Sequence, residues 1–329
     1  MKLTLKEIAL ESGVSAATVS RVLNGYKGVS AEKREQIRRV LERLKDAPVG
    51  RGRGRIAAAA IGVMILPDCR QDTNVLMRKL SVAVERLPRR WSLVLLRRNI
   101  QPLELDARRR RGELSGLLIA GHTEPDEFAG VLANIPHVWL NSHRTSTGEI
   151  RALGGNELAG RLAARHLIAK SCKRFACVDF PSANPGVQAR NDGFAFELFS
   201  RSLKCRRVRL ALPKPMECCP LAPISAGLEQ VFRCGEWPEC DGLFSPEDRV
   251  TALLHRVLRQ YKRKLPVIVS CDYMPEYLAG LYPRPASIDL CPERHGELAI
   301  TELINRIEKG GDFLDDISII VTPKLEAGE

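Results

Sequence analysis

SGVSAATVSRVLNG, residues 12–25, decides the fold of the N-terminal part of this 329-residue chain. Gly13 interrupts a helical pattern, and the hydroxyl of Ser15 is placed to cap a second helix that begins at the next residue and runs to Asn24. The apolar residues of this second helix recur at i, i+3 and i+4: Val19, Val22 and Leu23. Its other face carries small and basic side chains. Two short helices joined by a tight glycine turn predict a helix-turn-helix.

The flanking patterns complete a three-helix module. Thr4 and Glu7 have the spacing of a capping box, which predicts that the first helix starts there. Ser30 is placed to cap a third helix. The buried stripe expected on that helix consists of Ile37, Val40, Leu41 and Leu44. We therefore predict an all-α helix-turn-helix domain over residues 1–47.

The positive charge of the chain is concentrated in the same region. The whole chain carries a formal net charge of +12. Residues 1–55 hold 13 Lys and Arg against 6 Asp and Glu, a net charge of +7, which leaves +5 for the other 274 residues. Such a concentration is typical of a nucleic-acid-binding module. A merely solvated basic tail is the alternative.

With its turn and its caps, this segment resembles the DNA-binding domain of the lactose-repressor (LacI/GalR) family of bacterial transcription regulators. The residues that carry the resemblance are Thr4, Ile8, Ala9, Gly13, Val14, Ser15, Thr18, Val19, Ser20, Arg21, Val22, Leu23, Asn24, Val29 and Ser30. The resemblance implies a double-stranded DNA operator as partner, with Ala16, Ala17 and Arg21 facing base edges in the major groove. Arg21 is able to pair with O6 and N7 of guanine. The residues expected to contact phosphates are Ser15, Thr18, Ser20 and Asn24.

Residues 59–329 show a different pattern, in which strand-like and helix-like segments alternate. Short β-branched runs such as IGVMIL (61–66) and SGLLIAG (115–121) are separated by helical patterns such as NELAGRLAARHLIAK (156–170). This alternation predicts parallel sheets flanked by helices, and the number of strands predicts two lobes. Fragments such as RNDGF (190–194) are similar to the periplasmic-binding-protein-like domain of the same family. The resemblance implies that this part binds an effector and dimerises.

Candidate effector contacts follow the predicted strands. Open α/β lobes bind ligands at the carboxyl ends of their strands, in the crevice where the lobes meet. Arg190 opens an R-x-x-G-F pattern, and by family resemblance its guanidinium would reach the oxygens of an effector. The family resemblance also implies polar contacts at Asn141, Glu247, Asp248 and Asp272. Acidic and amide groups suit polyhydroxyl ligands, so a small, sugar-like effector is expected, with ion-pair, capping or turn roles as the alternative. Because Asn141 stands where the family usually has an aspartate, the ligand is expected to differ from a typical hexose.

GRGRGR, residues 50–55, lies in the predicted hinge linker, residues 48–58. In the family, this linker folds into a short helix in the minor groove, but each glycine would cost such a helix about 1 kcal/mol relative to alanine. In an extended chain, alternate residues project to one side, so the three arginines of this stretch would lie on the same side. One large apolar residue follows them, and it is the candidate to insert between base pairs. These hinge residues are Arg51, Arg53, Arg55 and Ile56. The pattern resembles the Arg-Gly-Arg core of AT-hook peptides. A flexible linker with loose phosphate contacts is the alternative.

The sequence argues against several other classes of protein. Its ten cysteines include no C-x-x-C pair, and its six histidines lie in no H-E-x-x-H pattern. No glycine-rich phosphate loop is present, so we expect no metal site, no cofactor and no enzymatic activity, with the cysteines acting as small buried thiols. The longest apolar run, residues 56–66, is too short to cross a bilayer. A cytoplasmic protein without a membrane partner is therefore expected.

Together, these patterns predict a sequence-specific transcription regulator, expected to be a repressor, that responds to a small polar effector. A homodimer is expected because one helix-turn-helix reads only a half-site and a two-fold axis supplies the other. The alternative is a DNA-binding architectural protein whose effector lobes have lost ligand binding.

Overall fold

The computed structural model describes most of the chain. The described residues are 9, 12–23, 29–46, 59–66, 73–88, 91–97, 100–121, 126–140, 150–182, 184–212, 221–309 and 317–328. The predicted start of the first helix lies outside them, as do all residues of the hinge linker. The site predictions that lie outside the described residues are Asn24, Arg51, Arg53, Arg55, Ile56 and Asn141.

The N-terminal module contains the predicted second and third helices. These are α1, Ala16–Leu23, and α2, Ala31–Asp46. Gly13 has a φ of +62°, a left-handed conformation that glycine adopts without steric cost, so it makes the turn before α1. Ser30 Oγ accepts a hydrogen bond from the backbone amide of Lys33 at 3.5 Å, as expected of a cap. The core of this module is formed by Val19, Ile37 and Val40, with Ala9, Val14 and Val22 packed against it.

The rest of the chain alternates between strands and helices. In chain order the elements are β1 (Ala59–Ile65), α3 (Thr73–Arg86), β2 (Trp91–Leu95), α4 (Pro102–Arg110), β3 (Gly116–Ala120), α5 (Ala129–Leu132), β4 (His137–Leu140), β5 (Ile150–Gly154), α6 (Asn156–Ala169), β6 (Phe175–Asp179), α7 (Pro185–Phe199), β7 (Cys205–Arg209), α8 (Leu221–Arg233), β8 (Gly242–Phe244), α9 (Asp248–Gln260), β9 (Val267–Cys271), α10 (Pro275–Leu278), β10 (Ala286–Asp289), α11 (Pro292–Lys309), β11 (Ile317–Val321) and β12 (Lys324–Glu326). A short 3₁₀ helix, Asp126–Phe128, precedes α5.

The strands form two sheets of six strands each, and each sheet is the centre of one lobe. The order in the first sheet is β11-β5-β4-β3-β1-β2, and all its pairs are parallel. The order in the second sheet is β12-β10-β9-β8-β6-β7, and only the β10–β12 pair at its edge is antiparallel. Parallel sheets covered by helices confirm the predicted two-lobed α/β fold.

The chain passes between the two lobes three times, each time through a very short connection. Gly155 alone separates β5 in the first sheet from α6, which packs on the second sheet. Two residues separate β10 in the second sheet from α11, which packs on the first. Two residues also separate β11 in the first sheet from β12 in the second. Each lobe is therefore built from parts of the chain that are distant in sequence.

Both faces of each sheet are buried. In the first sheet, Leu117, Ile119 and Trp139 face one apolar cluster, while Leu118 and Val138 face another. Successive residues of a strand point to opposite faces, so a sheet covered on both sides needs apolar residues at every position. This explains why the strands read as continuous apolar runs rather than as alternating ones.

The four arginines at positions 108–111 end α4, and they are paired with acidic side chains. Arg108 contacts Glu104 at 3.0 Å, and Arg109 and Arg110 contact Asp106 at 2.9 and 2.6 Å. Arg111 caps the helix and contacts a nearby glutamate. Such pairing fits the end of a solvated helix.

The cysteines of the described residues are free thiols. Most are buried or partly buried, as expected, but Cys234 is exposed in the turn after α8 and corrects that prediction for its position. Among the helices that the structure describes, none has the length and apolar character needed to cross a membrane.

Candidate DNA-binding and effector sites

The N-terminus of α1 is the start of the candidate DNA-reading helix. Ser15 Oγ accepts a hydrogen bond from the backbone amide of Thr18 at 3.2 Å and lies 2.9 Å from its hydroxyl. Ser15 is exposed, whereas Thr18 and Ser20 are partly exposed. Val19 is fully buried, which fixes the inward side of α1. The polar residues predicted to contact phosphates are thus accessible at this end of the helix wherever the structure describes them.

The residues predicted to read bases lie on the same helix. Ala16, Ala17 and Arg21 belong to α1, but their side chains lie outside the described part of the structure. Positions 17 and 21 are four residues apart, so the helix brings them to one side. Helical periodicity places that side away from Val19.

The candidate effector site is centred on Arg190, in the second turn of α7. Pro185 begins this helix, and Asn184 caps it by accepting from the backbone amide of Gly186 at 2.9 Å. Arg190 is only 5% exposed. Its Nε donates to Asn156 Oδ1 at 2.9 Å. A buried guanidinium with fixed partners is held in one orientation, which suits recognition of a polar ligand.

Two glycines allow α6 and α7 to approach closely enough for the Arg190–Asn156 contact. A Cβ on Gly160 would lie 1.9 Å from the backbone oxygen of Arg190, and one on Gly193 would lie 2.1 Å from the backbone oxygen of Glu157. These distances are far below van der Waals contact, so only glycine fits at either position. The sequence patterns N-x-x-x-G and R-x-x-G thus encode both the polar residue and the helix contact that positions it.

Arg190 also joins two strand ends of the second sheet. Its Nη1 donates to the backbone oxygen of Pro246, just after β8, at 2.6 Å. The same nitrogen lies 2.9 Å from Asp272 Oδ1, just after β9. Asp272 and Tyr273 have φ values of +103° and +48°, which are unfavourable for residues with a side chain. Such strain is typical of functional loops held in place by their surroundings.

Asp248 has a supporting position beside this cluster. Its side chain is fully buried and accepts hydrogen bonds from the backbone amide of Met274 at 2.6 Å and from Ser287 Oγ at 2.8 Å. Burial raises the pKa of Asp248 to about 6, against the lowering effect of these hydrogen bonds. The carboxylate therefore holds the loop that follows Asp272. Neighbouring Glu247 is also buried, and its carboxylate lies 2.6 Å from Arg249 Nε.

Comparison with known proteins shows which family the chain resembles. The family profile described as bacterial regulatory proteins, lacI family, matches residues 4–48. The ribose operon repressor of Escherichia coli strain K12 is 25% identical over 322 residues, which cover 92% of this chain and 93% of the relative. Over residues 4–48 the chain is thus similar to the LacI family of bacterial regulatory proteins, and its similarity to the ribose operon repressor extends over most of its length.

Solved structures agree with this fold over the whole chain. The transcriptional regulator CelR in complex with cellobiose has a TM-score of 0.63 at 20% identity, over 100% of this chain and 99% of that one. The lac repressor dimer bound to operator and an anti-inducer has a TM-score of 0.62 at 17% identity, over 100% of this chain and 98% of that one. The relatives named here are transcriptional regulators.

The sequence alone does not identify some residues of the candidate effector site. Asn156 is one, although it lies in a fragment with a recognisable glycine pattern. Ser270 and Thr251, whose hydroxyl oxygens lie 2.6 Å apart, are others. No local signal identifies them, because Thr251 lies on α9 and Ser270 on β9, and their hydroxyls meet only when this helix packs against the sheet.

Arg78, on α3 of the first lobe, links the two lobes close to the same loop. Its Nε donates to Glu293 at 2.7 Å, and its Nη2 lies 3.7 Å from Asp289 at the end of β10. Its Nη1 reaches the backbone oxygen of Tyr273 at 3.5 Å. The loop that carries Asp272 therefore contacts the first lobe. Within the described residues, no three His, Cys, Asp or Glu side chains are arranged to hold a metal ion.

Proposed function

We propose that this protein is a sequence-specific transcriptional repressor whose DNA binding is controlled by a small sugar or sugar derivative. The observation that carries the proposal is the Arg190 cluster. It places a buried guanidinium, an amide and a carboxylate at the carboxyl ends of β8 and β9, on a chain that also has a helix-turn-helix. Ligands of open α/β lobes bind at this end of the strands.

Arg190 and Asp272 are the proposed direct contacts of the effector. Asp272 remains 18% exposed beside the guanidinium, so its carboxylate is accessible to a ligand hydroxyl. Asp248 is assigned a positioning role, since its carboxylate is already bonded within the protein. Glu247 and Asn141 remain proposed contacts from the family resemblance. The names of the ribose operon repressor and the CelR–cellobiose complex support a carbohydrate as the effector class.

The DNA contacts are proposed to follow the family pattern. Arg21 would pair with guanine, with Ala16 and Ala17 allowing close approach to the groove. Ser15, Thr18, Ser20 and Asn24 would contact phosphates. The hinge arginines Arg51, Arg53 and Arg55, with Ile56, are proposed to lie along the minor groove at the centre of the operator.

A homodimer is proposed because the first lobe exposes large apolar side chains on one helix and on an edge strand. Met77 and Val84 are seven residues apart on α3, which places them on one side of the helix, and they are 57% and 55% exposed. Leu95, at the end of edge strand β2, is 66% exposed. Exposed apolar groups of this kind mark interaction surfaces. The lac repressor, a structural relative, is described as a dimer on its operator.

A thermal-shift titration tests the proposed function. D-ribose, cellobiose, ribose 5-phosphate and hypoxanthine are added separately to the full chain, and the melting temperature is measured. At a hundredfold excess over its Kd, a bound ligand adds about 2.7 kcal/mol to the free energy of unfolding, which is readily seen. A carbohydrate that raises the melting temperature and changes affinity for DNA supports the proposal. If no carbohydrate has either effect, the architectural alternative replaces it.

A further inference from the structure

The second lobe contains a cavity at the end of its sheet opposite to Arg190. Its volume is about 330 Å³. His166 and Lys170, near the end of α6, contribute to its wall together with residues that immediately precede β9 and β10. Arg190 lies instead where the strands of this sheet end. The cavity is therefore separate from the candidate effector site.

The polar side chains that line the cavity are all basic. They are His166, Lys170, His255 and Arg284, and the other described lining residues are prolines, glycine or aliphatic residues. Within the described residues, Lys170 makes no ion pair. Arg284 donates to the backbone oxygen of Ala327 at 3.4 Å and also lines a smaller adjoining cavity, where Glu326 is present. The balance of charge around the main cavity is positive.

His255 is the most deeply buried of these four side chains, with 4% exposure. Its Nε2 has no hydrogen-bond partner among the described residues. Burial and the neighbouring Arg259 lower the pKa of His255, while burial and Lys170 lower the pKa of His166. Both imidazoles are thus neutral near pH 7, and a buried imidazole nitrogen without a partner is costly. A polar ligand in the cavity would relieve this cost.

A second cavity nearby does not share this charge pattern. It has a volume of about 390 Å³ and is lined in part by Arg174, Glu239 and Asp241. Arg174 and Glu239 form an ion pair at 2.7 Å, and Asp241 accepts from backbone amides. Its lining mixes two acids with three bases, which include Arg263 and Lys264, so its charge is less one-sided than that of the 330 Å³ cavity. The 330 Å³ cavity differs because its lining combines basic groups with apolar surface.

We propose that the 330 Å³ cavity is a second ligand site, which takes a small organic carboxylate with a compact apolar body. Lys170 and Arg284 would bind the carboxylate, since charge-assisted hydrogen bonds to carboxylates are the strong ones. The prolines and aliphatic residues would cover the apolar body. His255 would be satisfied by a polar atom of the ligand.

The test compares benzoate with benzamide, which has the same shape but no charge. Calorimetric titration of the full chain measures both affinities, and the variants are Lys170→Met, Arg284→Met and Lys204→Met. Lys204 is an exposed lysine of the same lobe outside the cavity lining, so its variant matches the change in net charge. We expect saturable benzoate binding that is about tenfold weaker for benzamide and for the Lys170 and Arg284 variants, and unchanged for the Lys204 variant.

The location of binding is tested separately by a crystal structure of the full chain with benzoate. Benzoate bound beside Arg190 and Asp272, rather than in the 330 Å³ cavity, would assign it to the effector site and overturn the proposal. Equal affinities for benzoate and benzamide, equal weakening by Lys204→Met, or no saturable benzoate binding would also overturn it. A crystal structure of the benzoate complex with the carboxylate at Lys170 and Arg284 would support it directly.

Discussion

Arg190 Nη1 lies 2.9 Å from Asp272 Oδ1, and the two side chains are only 6% and 18% exposed. The pair joins α7 to the strained loop after β9. Because charges in a buried ion pair have lost their hydration, removing one partner leaves the other with an uncompensated cost. This relationship gives Arg190 a role in stability, beside its proposed role in ligand recognition.

Replacing Arg190 by alanine should lower the free energy of unfolding by about 3 to 5 kcal/mol, the usual cost of breaking a buried pair. It should also abolish the rise in melting temperature caused by a bound effector. Urea denaturation measures the first effect and thermal shift the second. Arg207→Ala, which removes the more exposed contact with Asp192 at 2.6 Å, serves as the control and should cost at most about 1 kcal/mol. Equal losses in the two variants would contradict the buried-pair interpretation.

Gly160→Ala should destabilise the second lobe strongly. The added Cβ would lie 1.9 Å from the backbone oxygen of Arg190, and neither helix backbone is able to move without disturbing the core. We expect a loss of about 3 kcal/mol or more in the free energy of unfolding, at the upper end of overpacking effects. Gly130→Ala in α5 is the matched control, because nothing lies within 4 Å of its Cβ position. That variant should be neutral or more stable by up to about 1 kcal/mol.

Asp248 should make the protein less stable as the pH rises, whereas most acidic residues make a protein less stable as the pH falls. Its pKa is raised from 3.8 to about 6 in the folded protein, so the folded state binds the proton more tightly than the unfolded state. Its contribution to stability therefore falls as the pH rises from about 4 to about 6, by roughly 3 kcal/mol in total.

The Asp248→Asn variant isolates this effect, because asparagine has the same shape but does not titrate. The difference in unfolding free energy between the two proteins should shift in favour of the variant as the pH rises from 4 to 7. Denaturant titrations at several pH values measure it. A difference that stays constant over this range would show that Asp248 has an ordinary pKa.

Arg21→Ala should weaken binding to the preferred DNA site by about 1 to 3 kcal/mol and relax the preference at one base pair per half-site. The reason is that a guanidinium paired with guanine reads that base, whereas a phosphate contact does not. Arg39→Ala is the control for loss of charge, since Arg39 is exposed on α2 and paired with Glu35. Equal weakening on every DNA sequence would show that Arg21 contacts only phosphate.

Replacing Arg51, Arg53 and Arg55 together by lysine should weaken binding to operators with an A·T centre more than to operators with a G·C centre. A narrow A·T minor groove attracts arginine, and lysine keeps the charge but is more strongly hydrated. Both affinities are measured at one salt concentration, because the electrostatic contribution is steeply salt-dependent. An unchanged ratio would favour the flexible-linker alternative.

Long local patterns made the fold predictable from the sequence. The predicted helix at residues 156–170 corresponds to α6, and strand-like runs such as residues 115–121 correspond to β3. The strands that were not predicted are β5, β10 and β12. Their sequences, IRALG, ASID and KLE, lack a run of β-branched residues, so their pairing comes from neighbouring strands rather than from their own sequence.

The candidate site was less predictable than the fold. Arg190 was identified through its sequence pattern, but its partners depend on contacts between distant segments. Asp248 illustrates the difficulty: its place after a strand suggests a ligand contact, whereas the structure shows a carboxylate bonded within the protein. A sequence shows which residues follow a strand. Whether the side chain of such a residue is open to a ligand or bonded to a loop depends on how the strands and loops come together in the fold.

The three short crossings between the lobes also determine when this protein is able to complete its folding during synthesis. A nascent chain made only to residue 290 has the helix-turn-helix and most of both sheets. It still lacks α11 and β11 of the first lobe and β12 of the second. Neither sheet has its full set of strands until residues 317–326 have left the ribosome. The DNA-binding module is therefore made long before the lobes that would control it are complete.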